Sequence, residues 1–190
     1  MQVQTLSLKQ HAPQKNRKQK GFSMIELMLA LVIIGMLSVP IYFIFKQASE
    51  SAQTENEISN VNGIAASIRK AWRSSSDFSA LTNAVLITRK AVPEKMDAGD
   101  GTNLINLWGG SVTVSATDPS GAAGQTAFQI AYTNVPASAC LDFVSGVQSA
   151  FSTVNVAGTD IKTTATAYDQ NTAVTQCSAA ERVDINFIGQ

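Results

Sequence analysis

The sequence predicts an α+β fold in which one long N-terminal helix covers an antiparallel sheet. Three observations carry that expectation. An uncharged run, Leu27 to Phe45, is followed by apolar residues at helical spacing, and the C-terminal half turns to the two-residue alternation of strands. Helix followed by strands places the helices on one face of a sheet rather than between parallel strands.

The first element to justify is the leader. The 190 residues hold 14 Lys+Arg and 14 Asp+Glu, and the neutral sum hides two blocks. Residues 1–21 carry Lys9, Lys15, Arg17, Lys18 and Lys20 and no acid, so the rest of the chain is acidic. The totals exclude a uniformly basic nucleic-acid binder, and no nucleic-acid partner is expected. With 45% hydrophobic residues the chain builds a core, which excludes a disordered acidic chain.

The run from Leu27 to Phe45 falls within the roughly 17–25 residues that span a bilayer as a helix. Five cations before it and Lys46 after it set the N-terminus on the cytoplasmic side and the bulk of the protein beyond the inner membrane. A removable secretory signal has a shorter apolar core and a small-residue cleavage site. Ser38-Val39-Pro40-Ile41-Tyr42 offers no such site, so the segment is read as retained.

Glu26 is the anomaly, because a carboxylate near the start of an apolar helix needs a partner or a role. A cut between Gly21 and Phe22 would create an amine four residues before it, on the same helical face. That cation, on this chain or a neighbour, neutralises Glu26 and fixes axial register between packed helices. The alternative is a Glu26 solvated at the headgroup level.

The stretch Lys20-Gly21-Phe22-Ser23-Met24-Ile25-Glu26-Leu27-Met28-Leu29-Ala30-Leu31 resembles the cleavage motif of type IV prepilins and of the related type II secretion pseudopilins. The resemblance implies the type IV pilin fold. It also implies a prepilin peptidase that cuts between Gly21 and Phe22 and N-methylates Phe22, an inner-membrane assembly machinery, and Glu26 paired with a neighbour's amine. A 21-residue leader resembles the type IVb group, whereas Phe as the first mature residue is commoner in type IVa.

Past Lys46, Ile58, Val61, Ile64, Ala65, Ile68 and Trp72 form a helical stripe, and Glu50, Glu55, Glu57, Arg69, Lys70 and Arg73 are assigned to the opposite face. One helix from Phe22 to about Ser75 is expected. Pro40 lacks an N–H and crowds the carbonyl of Met36. With Gly35 it marks a kink or a stretch that loses helicity on assembly; the alternative is that a membrane helix tolerates both. The expected organisation is a leader over 1–21 that is removed, an apolar helix over 22–46 that is first membrane span and then filament core, an amphipathic half over 47–75, and a head over 76–190.

In the head, Asp77 is expected to cap a helix over Phe78–Thr88 with Phe78, Leu81 and Val85 inward. Pro93, Gly99 and Gly101 mark a loop. Asp97 to Asn103 only superficially resembles a calcium loop, lacking the alternating ligands and terminal Glu, so no metal is expected. Strands are expected over Ser111–Thr117, Ala127–Thr133 and Val183–Ile188, and weaker ones over Ser152–Val156 and Thr163–Tyr168. A helix over Ser138–Phe151 turns Leu141, Val144, Val147 and Phe151 to one side. Asn155 to Gln176, rich in Thr, Ala, Asp and Asn, is expected to be exposed and to face the filament exterior.

Cys140 and Cys177 lie in a domain facing an oxidising compartment, which favours a disulfide over two buried thiols. The bracket over 140–177 resembles the disulfide-bounded region of type IV pilins. Leu107-Trp108-Gly109-Gly110 and Val135-Pro136-Ala137-Ser138-Ala139-Cys140 further resemble major pilins of enteric bacteria and the thin pili of conjugative plasmids. The glycines suit a tight turn, and Trp108 suits the core.

The expected function is therefore structural: a major type IVb prepilin, anchored in the inner membrane and then polymerised with other copies of itself into an extracellular filament for adhesion, aggregation or mating-pair stabilisation. The alternative is a minor pilin or a type II secretion pseudopilin. No His follows His11, and no Gly-x-Ser-x-Gly, phosphate loop or metal cluster occurs. No enzyme and no cofactor are expected.

Overall fold

The structure is a computed structural model that describes residues 23–75, 77–118 and 125–190. It divides into two compact units, Met1–Ile44 and Phe45–Gln190. Helix α1, Met24–Ala71, runs through both. It opens where the Ser23 carbonyl accepts the N–H groups of Glu26 and Leu27, at 2.9 and 3.1 Å. It ends short of the expected Ser75, because serines offer the backbone competing bonds. The Asp77 N–H donates to Ser75 Oγ at 3.1 Å, and the chain leaves in a turn.

In the second unit, Val61, Ile64, Ala65 and Ile68 of α1 are fully buried, as a 3.6-residue period requires of one face. Two residues assigned to the opposite face are not there. Glu57 is fully buried and Arg69 half-buried. Glu57 stands four residues before Val61 and seven before Ile64, so angle, not residue type, decides its side.

Helix α2 spans only Asn83–Thr88, which corrects the expected Phe78–Thr88. Asp77 Oδ1 accepts the Ser79 N–H at 2.8 Å and closes a local turn instead. The N-cap is Thr82, whose Oγ1 accepts the Val85 N–H at 3.3 Å. Phe78 and Leu81 reach the core from the preceding turn, and Leu86 rather than Val85 is the buried helix residue.

The six strands are β1 Leu104–Ile105, β2 Ser111–Thr117, β3 Ala127–Pro136, β4 Thr153–Val156, β5 Thr159–Lys162 and β6 Arg182–Gly189. They form one sheet in the order β1-β2-β3-β6-β4-β5, antiparallel throughout. Strand β5 replaces the expected Thr163–Tyr168. Ala157 and Gly158, both at positive φ (49° and 83°), make a two-residue hairpin loop that starts the return strand early. The later threonines fold on themselves, with Thr163 Oγ1 accepting the N–H groups of Ala165 and Thr166 at 3.2 and 3.0 Å.

Helix α3, Ala137–Val147, follows β3 directly, and a short 3₁₀ turn, Gln148–Ala150, takes the place of its expected last turn. Phe143, which the expected stripe omitted, is fully buried, while Leu141 is half-buried. Helix α4, Gln170–Cys177, is capped by Asp169, whose Oδ1 accepts the N–H groups of Asn171 and Thr172. The Asn155–Gln176 segment is thus not uniformly exposed. It holds β5 and most of α4 and buries Val156, Ile161 and Ala173; residues 164–167 remain exposed.

Aromatic rings from β3, α3 and β6 meet at the centre. Tyr132, Phe143 and Phe187 lie with ring centroids 5.2–6.3 Å apart in tilted or edge-on pairs, the arrangement the ring quadrupole favours.

Candidate functional site

The first candidate is the apolar start of α1. From Met24 to Phe45 every described large apolar side chain is exposed, Met24 by 77% and Phe45 by 74%. Glu26 occupies the first turn and is exposed, where a helix N-terminus favours negative charge. Helix α1 is continuous through Gly35 and Pro40. The Ser38 hydroxyl donates to the Ile34 carbonyl at 2.6 Å, one turn back. Gly21 and Phe22, the expected processing site, lie outside the described residues.

The second candidate is the disulfide-bounded region. Cys140 near the start of α3 and Cys177 at the end of α4 are bonded, with their Cα atoms 5.6 Å apart. The bond ties together α3, which lies against β3 and β6, and α4, which lies against β4 and β5, and both cysteines are buried. Its exposed face carries Asp142, Asp160 and Asp169.

A third feature was missed by the sequence reading. Glu57 Oε1 accepts the Leu107 N–H at 2.6 Å, and Oε2 accepts the Tyr132 hydroxyl at 3.0 Å and the Asn60 amide at 3.4 Å. One carboxylate therefore joins α1, the turn before β2 and the central strand β3. Burial raises its pKa above the ordinary carboxylate value, and the three donors, Leu107 first, hold it back. The Tyr132 hydroxyl is pushed well up, first by its own burial and then by the Glu57 charge.

Leu107-Trp108-Gly109-Gly110 is the turn that Glu57 grips. Buried Asn106 Oδ1 accepts the N–H groups of Trp108 and Gly110 at 3.0 and 2.9 Å. Gly109 has φ +79°, and a Cβ on Gly110 would sit 1.9 Å from the Thr133 carbonyl oxygen, so neither position accepts a side chain without strain. Trp108 packs edge-on against Phe143 at 5.2 Å, which places its ring at the core.

None of these features sets a nucleophile beside a base, and among the described residues no group of His, Cys, Asp and Glu could hold a metal ion. In the calcium-like loop, Asp100 Oδ1 accepts the N–H groups of Thr102 and Asn103 at 2.9 and 2.8 Å. These bonds, with Asn103 the largest cause, bring its pKa down to about 2; the carboxylate serves its own turn. What the geometry offers is surface: an apolar helix with nothing over it and a folded head.

Comparison with known proteins agrees with that division. Residues 16–42 match the family model described as a prokaryotic N-terminal methylation motif, and residues 51–189 match the one described as PilS N terminal. The chain is 24% identical over 173 residues to the major structural subunit of bundle-forming pilus of Escherichia coli O127:H6 (strain E2348/69 / EPEC), covering 87% of this chain and 88% of that one. It resembles the crystal structure of a type IV b pilin from Salmonella typhi at TM-score 0.56 and 22% identity, over 70% of this chain and 97% of the other. It also resembles TcpA, a type IV pilin from Vibrio cholerae El Tor biotype, at TM-score 0.56 and 16% identity, over 73% and 99%.

Proposed function

The chain belongs to the PilS family of type IV pilins, whose family model spans residues 51–189, and from that premise we propose that it is the major structural subunit of a type IVb pilus. It is a structural protein and not an enzyme. The observation that carries the reading is one chain joining a methylation motif over 16–42 to a pilin head over 51–189. The exposed apolar start of α1 suits lipid before assembly and a bundle of identical helices afterwards.

The processing steps belong to the same proposal. A prepilin peptidase cuts between Gly21 and Phe22 and N-methylates Phe22. The discarded cations set the orientation of the precursor in the inner membrane, head outward. Glu26 then pairs with the Phe22 amine of a neighbour as the assembly machinery adds subunits, and Gly35 to Pro40 is where α1 kinks or loosens in the filament. The finished pilus lies outside the cell and serves adhesion, aggregation or mating-pair stabilisation.

Mass spectrometry of protein sheared from cells expressing the chain tests this directly. Abundant filaments whose subunit begins at methylated Phe22 are expected. A chain that keeps Met1, or is cut far from Gly21, sinks the proposal. Correct cleavage with only trace amounts in the sheared fraction favours a minor pilin or a pseudopilin.

A further inference from the structure

The head separates its charges. After residue 21 the chain has nine cations, and five of them, Arg69, Lys70, Arg73, Arg89 and Lys90, line two grooves that share Lys70 at the C-terminal ends of α1 and α2. The groove holding Lys70, Arg89 and Lys90 measures about 500 Å³ and the one holding Arg69, Lys70 and Arg73 about 590 Å³. Among the described residues no Asp or Glu lines either; Glu94 and Asp97 share a separate groove with Lys90.

Some of this charge has a local use. Arg69 Nε donates to the Gln190 carbonyl at 2.9 Å, and its guanidinium lies 5.3 Å from the Phe128 ring centroid. Arg89 lies over Trp72 at 5.4 Å. Cations also complement helix C-termini, but each terminus amounts to only about half an elementary charge. Lys70, Arg73, Arg89 and Lys90 are all exposed, so most of their charge is left for something outside the chain.

A complementary groove lies at the other end of the head's share of α1. It measures about 190 Å³ and is lined by Glu50, Gln47, Thr54 and, from α3, Asp142. Glu50 has a loose partner in Lys46 at 3.9 Å and shares an adjoining groove with Arg182, whose guanidinium donates to the Asn134 carbonyl at 3.0 Å; the exposed Asp142 adds the second negative charge. Along α1, Glu50 and Lys70 are separated by about 30 Å of rise and about 200° of rotation. The acidic groove is therefore on the α3 flank and the basic pair on the α2 flank, one high and one low.

We propose that these two surfaces dock on each other between copies of this chain: the exposed basic surface of one subunit, at Lys70 and Arg73, faces the exposed acidic surface of the next, at Glu50 and Asp142. The inference rests on the reading of the chain as a filament subunit and supplies a contact for it. Different patches on opposite flanks at different heights form a heterologous contact, and repeating it generates an open helix and not a closed ring. Exposed ion pairs are individually weak; they select which face meets which, while the apolar helices supply cohesion.

The test is charge reversal and restoration in the full chain within its own assembly system, measuring sheared filament protein against total chain. Lys70→Glu with Arg73→Glu is expected to lower filament yield at least tenfold, and Glu50→Lys with Asp142→Lys to do the same. All four substitutions together are expected to restore the yield to within threefold of the unsubstituted chain. That restoration separates docking from misfolding, since a head damaged by two substitutions is not repaired by two more on the other flank. The proposal is overturned if either pair alone assembles normally, including the case where the basic-groove pair assembles but loses binding to an acidic polysaccharide surface. It is equally overturned if the fourfold variant stays as low as its parents. Absence of filaments from the unsubstituted chain is a different result and strikes the filament reading itself.

Discussion

Glu57 holds the tightest node in the head, and its chemistry sets two expectations. Its two oxygens accept from Leu107 and Tyr132, so Glu57→Ala leaves two donors in a buried site without an acceptor. A buried donor left unmade costs about 1–3 kcal/mol, and urea unfolding of the head is expected to show a loss of about 2–5 kcal/mol. Glu57→Gln keeps one acceptor and loses less. The pH dependence follows from the raised pKa. The folded head binds the Glu57 proton more tightly than the unfolded chain, so this group's contribution is fully present below the ordinary carboxylate value of 4.5 and is lost as pH rises through the folded pKa. Asp100 acts in the opposite sense, contributing above 3.8 and losing that contribution as pH falls toward about 2. Unfolding free energy of the unsubstituted head minus that of Glu57→Gln, measured from pH 4 to 8, is therefore expected to fall with pH. A flat or rising difference contradicts the assignment. The sequence held the signal for this residue in its angle on the stripe, since Glu57 is in phase with Val61 and Ile64. Sorting by polarity hid it, because nothing local announces that Tyr132 and the Leu107 N–H, 75 and 50 residues away, supply its partners.

At the level of elements, the β4–β5 hairpin invites improvement. Its loop residues Ala157 and Gly158 both have φ > 0, the type I′ pattern in which Asn-Gly is preferred. Ala157→Asn is expected to raise stability by about 0.5–1 kcal/mol, read as a higher urea midpoint at unchanged slope. The disulfide works on the other edge of the same region. Cys140 and Cys177 are 37 residues apart, and loop-closure entropy for such a span gives roughly 4 kcal/mol. Cys140→Ser with Cys177→Ser is expected to cost about that much in the same assay, with α4 the first element to lose amide protection. These elements also show where periodicity informs and where it fails. Strand β2 lies where alternation put it, Ser111–Thr117, because its two faces differ. Strand β5 was displaced because Thr159–Lys162 buries only Ile161, leaving turn chemistry to place it, and Ala in a left-handed position carries no sequence signal. Helix α2 began late because Asp77 and Thr82 are both competent caps, and only Thr82, which bridges to Ser115 of β2, has tertiary support.

Across the whole molecule the two units divide the work of stability and assembly. Every side chain of the core cluster lies at Val61 or beyond, whereas the large apolar residues from Met24 to Phe45 are exposed. At about 1.5–3 kcal/mol for each such side chain buried, covering that surface exceeds the 5–15 kcal/mol that holds a typical domain together. Lipid or neighbouring subunits must supply the cover. Glu26 is the charged residue on this surface, so its substitution separates processing from packing. Glu26→Val leaves the Gly21-Phe22 bond in place and is expected to be cleaved normally, yet to yield at least tenfold fewer filaments, because under the proposed pairing a neighbour's amine then enters an apolar bundle without a partner. The head provides the control. A chain beginning at Gln47, which lacks residue 26 altogether, is expected to be soluble, to form the Cys140–Cys177 bond and to unfold cooperatively in urea, so that a loss of filaments from Glu26→Val is a defect of assembly and not of the head. Normal filaments from Glu26→Val would remove the pairing role. Failure of the Gln47 chain to fold would instead show that the first half of α1 contributes to the head, against a core in which every described residue begins well beyond the membrane-length run.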